Sequence, residues 1–147
     1  MAGIIDISLL GDKALTRKLN KLPNRVQKKV VRQSMRKAAK PLLTSIKHAI
    51  GEIRVTGEHT DRLRRGMKIK SVKRSRSRLG VEIITPRRQE LDIADSDKSY
   101  WPANIELGTR NAPPQKFIRD TVDSNRTQTM GIIRREIASG IIREAKK

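Results

Sequence analysis

Residues 24–50 read NRVQKKVVRQSMRKAAKPLLTSIKHAI, and this stretch decides the fold. Val26, Val30, Val31, Met35, Ala38, Leu42, Ile46 and Ala49 recur at steps of three or four, which sets them along one side of an α-helix. Pro23-Asn24 marks the start, breaking whatever precedes it and offering a cap. Pro41 lacks a backbone donor and crowds the turn before it, so a kink is expected between Lys37 and Pro41. The other side of the helix, extended upstream by Lys18 and Lys21, carries Arg25, Lys28, Lys29, Arg32, Arg36 and Lys40 and almost no Glu, so ion pairs along it cannot neutralise it.

Upstream, Ile4, Ile5, Ile7, Leu9 and Leu10 form a short β-type run closed by Gly11-Asp12. Asp12 can cap a short helix whose apolar positions are Leu15, Leu19 and Leu22. Downstream, Gly51 to Asp61 reads as a polar loop and Arg62 to Arg65 as one helical turn. Met67, Ile69 and Ser71 then alternate with Lys68 and Lys70, and Leu79, Val81, Ile83 and Thr85 alternate likewise. Together they predict a β-hairpin with Lys73-Arg74-Ser75-Arg76-Ser77-Arg78 at its tip and Pro86 ending its second strand. Residues 87–98 read as a mixed-charge loop. Tyr100 to Leu107 reads as a further strand interrupted by Pro102, and Gly108 to Gln115 as a turn. A last helix runs from about Gln115 to Ala145, with Ile118, Val122, Met130, Ile133, Ile137 and Ile141 as its stripe. Gly131 and Gly140 weaken that helix by about 1 kcal/mol each relative to Ala, and they leave room for close packing.

The order is strand, long helix, hairpin, strand, long helix. The expected fold is α+β: a small antiparallel sheet with a long kinked N-terminal helix and a long C-terminal helix packed on it, in a single domain over residues 1–147.

Composition narrows the function. The chain has 34 basic and 15 acidic residues, a net charge of +19. Residues 1–50 carry +10, residues 51–90 carry +7 and residues 91–147 only +2, so the basic field belongs to the first two-thirds. Such a charge attracts polyanions: nucleic acid, an acidic protein or an anionic membrane. Aromatic residues make up only 2%, so Ile, Leu, Val and Ala must build the core, with neighbouring subunits expected to cover some of the apolar surface. Cysteine is absent, which removes disulfides, thiolate metal sites and thiol catalysis. No apolar run reaches the roughly 20 residues of a membrane span. Met1 to Leu10 lacks the pattern of a signal peptide, so synthesis without export is expected.

Candidate chemistry is sparse. The histidines are His48 and His59; Glu58, His59 and Asp61 sit close in sequence but read as a solvated loop, because local loop triplets rarely converge on one point. There is no Gly-rich phosphate loop, no nucleophile elbow and no obvious pair of carboxylates. No catalytic, cofactor-binding or metal-binding residue is assigned. The basic features are the candidates for contact with DNA or an acidic partner: Lys73, Arg74, Arg76 and Arg78 at the hairpin tip, and Lys28, Arg32 and Arg36 on the long helix. Sequence-specific readout is not expected, since no helix-turn-helix, zinc finger or aromatic stacking platform is visible. Tyr100, Trp101 and Phe117 flank the turn segment and are expected to anchor it on the core.

At Asn104-Ile105-Glu106-Leu107-Gly108-Thr109 the chain begins to resemble the gene-product-ten-like proteins of long-tailed (siphovirus-type) bacteriophages, known as neck, head–tail joining, tail-completion or minor tail proteins. In that family a Tyr-containing segment leads into a Glu-aromatic-Gly-Thr motif, a Pro-rich turn, a Pro-Phe pair and a long C-terminal helix. Tyr100, Glu106, Gly108, Thr109, Pro113, Pro114 and Phe117 stand in those places. Leu19 to Pro23, the basic helix with Ala38-Ala39-Lys40-Pro41, and Thr60-Asp61-Arg62-Leu63-Arg64 are similar to upstream elements of the family. Leu107 replaces the usual aromatic, Asp61 a usual Gly, Lys116 a frequent Pro, and Asp120-Thr121 a usual Pro-Ala.

The resemblance implies a non-enzymatic virion protein, made in the host bacterial cytoplasm and needing no cofactor. It implies a homo-oligomeric ring, a hexamer or dodecamer, at the neck or upper tail, joining the head connector or stopper to the tail terminator or tail tube around the DNA channel. Expected partners are copies of itself, those neighbouring rings and genomic DNA in the lumen, with no membrane. The competing reading from charge alone is a non-sequence-specific nucleic-acid-binding protein.

Overall fold

A computed structural model describes residues 13–53, 58–72, 80–86, 102–111 and 113–146. The expected strand at residues 4–10, the Asp12 cap, the hairpin tip 73–78, the mixed-charge loop 87–98, and Tyr100 and Trp101 lie outside the described residues. The elements are α1 (Lys13–Asn20), α2 (Asn24–Gly51), α3 (Glu58–Gly66), β1 (Lys68–Ser71), β2 (Val81–Ile84), α4 (Pro102–Leu107) and α5 (Phe117–Ala145). The class is α+β: long helices with a small antiparallel hairpin of order β1-β2.

The junction between α1 and α2 is closed by backbone chemistry. Gln27 donates its side-chain amide to the carbonyls of Leu22 (2.6 Å) and Asn20 (3.3 Å), satisfying acceptors that the end of α1 leaves open. Pro23 accepts from the amides of Val26 and Gln27, and so begins α2 where its own missing N–H costs nothing. α2 then continues through Pro41 to Gly51.

Contacts gather into two compact units, and α2 and α5 contribute to each. The first comprises α1, α2 up to Pro41, the inner ends of the hairpin strands and α5 from Arg126. Its core is Val30, Ala38, Ile133 and Ile137, with Leu15, Leu19, Val26, Met130, Ile132 and Ile141 packed against it. The second comprises α2 from Leu42, α3, the outer ends of the strands, α4 and α5 up to Asn125. Its core is Leu42, Ile46, Ile50, Ile53, Leu63, Met67 and Phe117, joined by Ile83 of β2, Ile105 of α4 and Ile118 and Val122 of α5.

The structure corrects the sequence reading at several points. The buried line of α2 is Val30, Ser34, Ala38, Leu42, Ile46 and Ile50, a strict four-residue ridge; Val31, Met35 and Ala49 lie half-buried beside it. Ser34 is only 2% exposed, yet its hydroxyl donates to the Val30 carbonyl at 2.8 Å, so a polar residue enters the core already satisfied by its own helix. Residues 58–61, read as the end of a loop, join the turn read at Arg62 to Arg65 in the nine-residue helix α3. Leu63 and Met67, four residues apart and both buried, anchor this segment in the second core. The segment read as a strand before Gly108 is instead α4, which begins at Pro102; proline is well suited to the first position of a helix, where no N–H is needed. Where the helix α3 turns into β1, a Cβ on Gly66 would sit 2.6 Å from the Cβ and Cγ of Pro86, so only glycine allows that approach.

Candidate functional site: a capped turn and a basic helix face

The segment from α4 into α5 belongs to the second unit and is fixed by a chain of local bonds. Gly108 takes φ 77°, a left-handed conformation that favours glycine, and turns the chain at the end of α4. The Gln115 amide donates to the Ile105 carbonyl at 2.8 Å, closing the turn behind it. The Glu106 carboxylate then accepts from the amides of Ile118 (2.8 Å) and Arg119 (2.9 Å). These amides belong to the first turn of α5, where backbone donors have no partner within the helix. Glu106 therefore acts as a helix cap delivered from another element, and its negative charge faces the positive end of the helix dipole. Phe117, buried at the start of α5, inserts into the core and sets the depth of the turn.

Glu106, Gly108 and Phe117 are thus brought together as one clamp. Thr109 and Pro113 lie on its exposed side, where the Thr109 hydroxyl accepts from the Asn111 amide at 3.4 Å. This arrangement holds a helix at a fixed angle and depth. Leu107, 71% exposed, projects from the same turn.

An open groove of about 660 Å³ in the second unit runs between α2 and α5, lined among others by Ser45, His48, Glu52, Lys116, Asp120 and Thr121. Three of its polar side chains are turned back on their own helix. Thr121 donates to the Phe117 carbonyl, Ser124 to the Asp120 carbonyl and Asn125 to the Thr121 carbonyl. His48 faces Glu52, just past the end of α2, at 3.6 Å. The Thr121 and Ser124 hydroxyls therefore donate to carbonyls of α5. Among the described residues no three His, Asp or Glu side chains are grouped to hold a metal ion. Nor is any described helix long and apolar enough to cross a membrane.

The basic face of α2 lies in the first unit. Residues 13–51 contain 12 basic and no acidic residues. Lys28 and Arg36 are exposed and Arg32 is half-buried. α2 carries no Glu along its own basic side, and two come instead from α5. Lys29 pairs with Glu144 at 3.1 Å and Lys37 with Glu136 at 2.5 Å. The pairs match residues eight apart on each helix in opposite order, so the two helix segments run antiparallel in this unit. The matched spacing was present in the sequence, but nothing there brought residues 99 and 115 positions apart into register. Hydrogen bonding from Lys37 holds the Glu136 carboxyl below its ordinary value, aided by the charges of Lys37, Arg135 and Arg143 and opposed by partial burial. Among the described residues no such carboxylate pairs with Lys28, Arg32 or Arg36. The Nε of Arg32 is buried without a hydrogen-bond partner. The other candidate cations, Lys73, Arg74, Arg76 and Arg78, lie outside the described residues.

Compared with known families, residues 13–102 match the HK97-gp10-like family, described as "Bacteriophage HK97-gp10, putative tail-component". The match takes in α1 to β2 and ends where α4 begins, so the part played by Glu106 to Phe117 rests on its geometry. No curated protein and no solved structure matches the chain.

Proposed function

The chain belongs to the HK97-gp10-like family of bacteriophage tail components, and from that premise we propose that it is a subunit of a neck or tail-completion ring at the head–tail interface. In this reading it is a structural protein without catalytic activity. It joins the connector or stopper to the tail terminator or tail tube, in a closed hexamer or dodecamer around the DNA channel. The family match over residues 13–102 is the observation that carries the reading. Two features of the surface fit it. Leu107 and Ile142 are 71% and 57% exposed, apolar groups that a neighbouring subunit would cover. The Glu106 clamp fixes the start of α5, and a ring wall needs helices whose relative placement repeats from copy to copy.

The test is a virion carrying this protein with a small electron-dense tag, imaged after purification. Label at the junction between head and tail, repeated around the axis, is the expected result. Label at the tail tip or within the capsid, or absence from purified particles, would refute the assignment.

A further inference from the structure

We infer that the face of α2 bearing Arg25, Lys28, Arg32 and Arg36 is a sequence-independent docking surface for the sugar-phosphate backbone of duplex DNA. The inference rests on the tail-subunit reading only for DNA being at hand.

Three observations carry it. The first is the sorting of charge. α5 presents Glu136 and Glu144 to α2, and they engage Lys37 and Lys29. The neighbouring column Lys28, Arg32 and Arg36 has no carboxylate partner among the described residues, in a stretch of the chain with no carboxylate of its own.

The second is Arg32. Its Nε is buried without a hydrogen-bond partner. A buried donor left unpaired is costly, and more so when it belongs to a charged group. The guanidinium is therefore partly withdrawn from water, and no carboxylate among the described residues pairs with it. An external anion would supply that compensation, and arginine suits a phosphate better than lysine does.

The third is the chemistry of the face. From Arg25 to Lys40 the exposed positions of α2 hold only Arg, Lys and Gln33. A protein partner would be expected to find an apolar or aromatic anchor at the centre of its contact, and this face offers none. A phosphate backbone needs none. One helical step of four residues rises about 6 Å, so Lys28 to Arg36 spans about 12 Å. Duplex DNA carries a charge about every 1.7 Å of its axis. Several phosphates fall within that span in any register, which makes the contact independent of sequence.

The experiment is titration of the full-length protein with a random-sequence duplex of about 30 base pairs across a salt series. It is repeated for Lys28→Gln/Arg32→Gln/Arg36→Gln and for a charge-matched control on α5, Arg126→Gln/Arg134→Gln/Arg135→Gln. Each neutralised phosphate contributes about 0.9 to the slope of log K against log salt. The α2 variant should lose about 2.7 of that slope and about 100-fold in affinity near 0.15 M salt, while the control keeps most of both. If the half-buried Arg32 proves necessary for folding, Lys28→Gln/Arg36→Gln alone should lose about 1.8 in slope and about 30-fold in affinity.

Equal losses in the α2 variant and the control would mean that net charge, and not this face, binds DNA, and would overturn the inference. So would unchanged DNA binding in an α2 variant that no longer enters virions, which would assign the face to an acidic protein. Absence of the wild-type protein from particles would refute the tail-subunit reading while leaving the DNA result standing.

Discussion

Replacing Glu106 by Ala removes the cap of α5 and nothing else of comparable weight. Its carboxylate accepts two amide hydrogens, from Ile118 at 2.8 Å and Arg119 at 2.9 Å. Loss of a helix cap costs about 0.5–2 kcal/mol, and hydrogen bonds to a charged group contribute about 1.5–3 kcal/mol each where solvent is excluded. Here Arg119 is exposed and Glu106 half-buried, so water recovers part of the loss. A destabilisation of about 2 kcal/mol is expected, or roughly 4–8 °C in melting temperature for a chain of this size. Glu106→Gln retains one acceptor oxygen but loses the favourable charge at the helix terminus, worth about 0.3–1 kcal/mol, and should fall near the midpoint. Urea unfolding followed by circular dichroism measures the total. Amide hydrogen exchange localises it: the Ile118 and Arg119 amides should lose protection in the Ala variant before those in the middle of α5. A Glu106→Ala protein within about 0.5 kcal/mol of wild type, with those amides still protected, would refute the capping argument.

Four further outcomes follow from the packing and the charges. Gly131 has open space where a Cβ would stand, so Gly131→Ala should stabilise α5 by up to about 1 kcal/mol. At Gly140 the same atom would lie 2.7 Å from Cγ1 of the stiff Val30, so Gly140→Ala should lower the melting temperature despite the same gain in helix propensity. Ser34→Ala should change stability by less than about 0.5 kcal/mol in denaturant titration, because the hydroxyl bonds only to a carbonyl of its own helix; a loss of about 2 kcal/mol would mean that the hydroxyl serves another partner. Glu136 has a lowered pKa in the folded chain, chiefly through the hydrogen bond from Lys37. Its contribution is complete above the unfolded carboxylate range and is lost as pH falls through the lowered folded value. The melting-temperature gap between wild type and Glu136→Gln should therefore close on acidification, and a gap independent of pH would contradict the pairing.

Much of this architecture is legible along the chain, and the parts that are not have a common cause. α2 runs from Asn24 to Gly51, against the expected Asn24 to Ile50, and α5 begins two residues inside its expected bound. Long periodic segments repeat their signal over many turns. α4 has six residues, too few for a helical period to separate from alternation, and the strand reading there failed. Among its described residues α3 buries Leu63 alone, with Met67 just past its end, so its polar sequence resembled a loop. Ser34 could not be placed in the core from its identity, because what admits it is a bond to its own backbone. The motif residues Glu106, Gly108 and Phe117 were found by resemblance. Their joint role as a clamp required the distance from Glu106 to amides twelve and thirteen residues away.

The sequence by itself determined the α+β class, the two long helices, the hairpin and the basic character of the first two-thirds of the chain, since periodicity and charge are carried locally by residue type. Only the tertiary structure decided which cations of α2 are neutralised. Lys29 and Lys37 differ from Lys28 and Arg36 by a rotation about the helix axis alone, and that rotation matters only once α5 lies antiparallel with Glu136 and Glu144 in register. Charge is a property of the residue, but its compensation depends on a distance, and here that distance is set by packing between segments about a hundred residues apart.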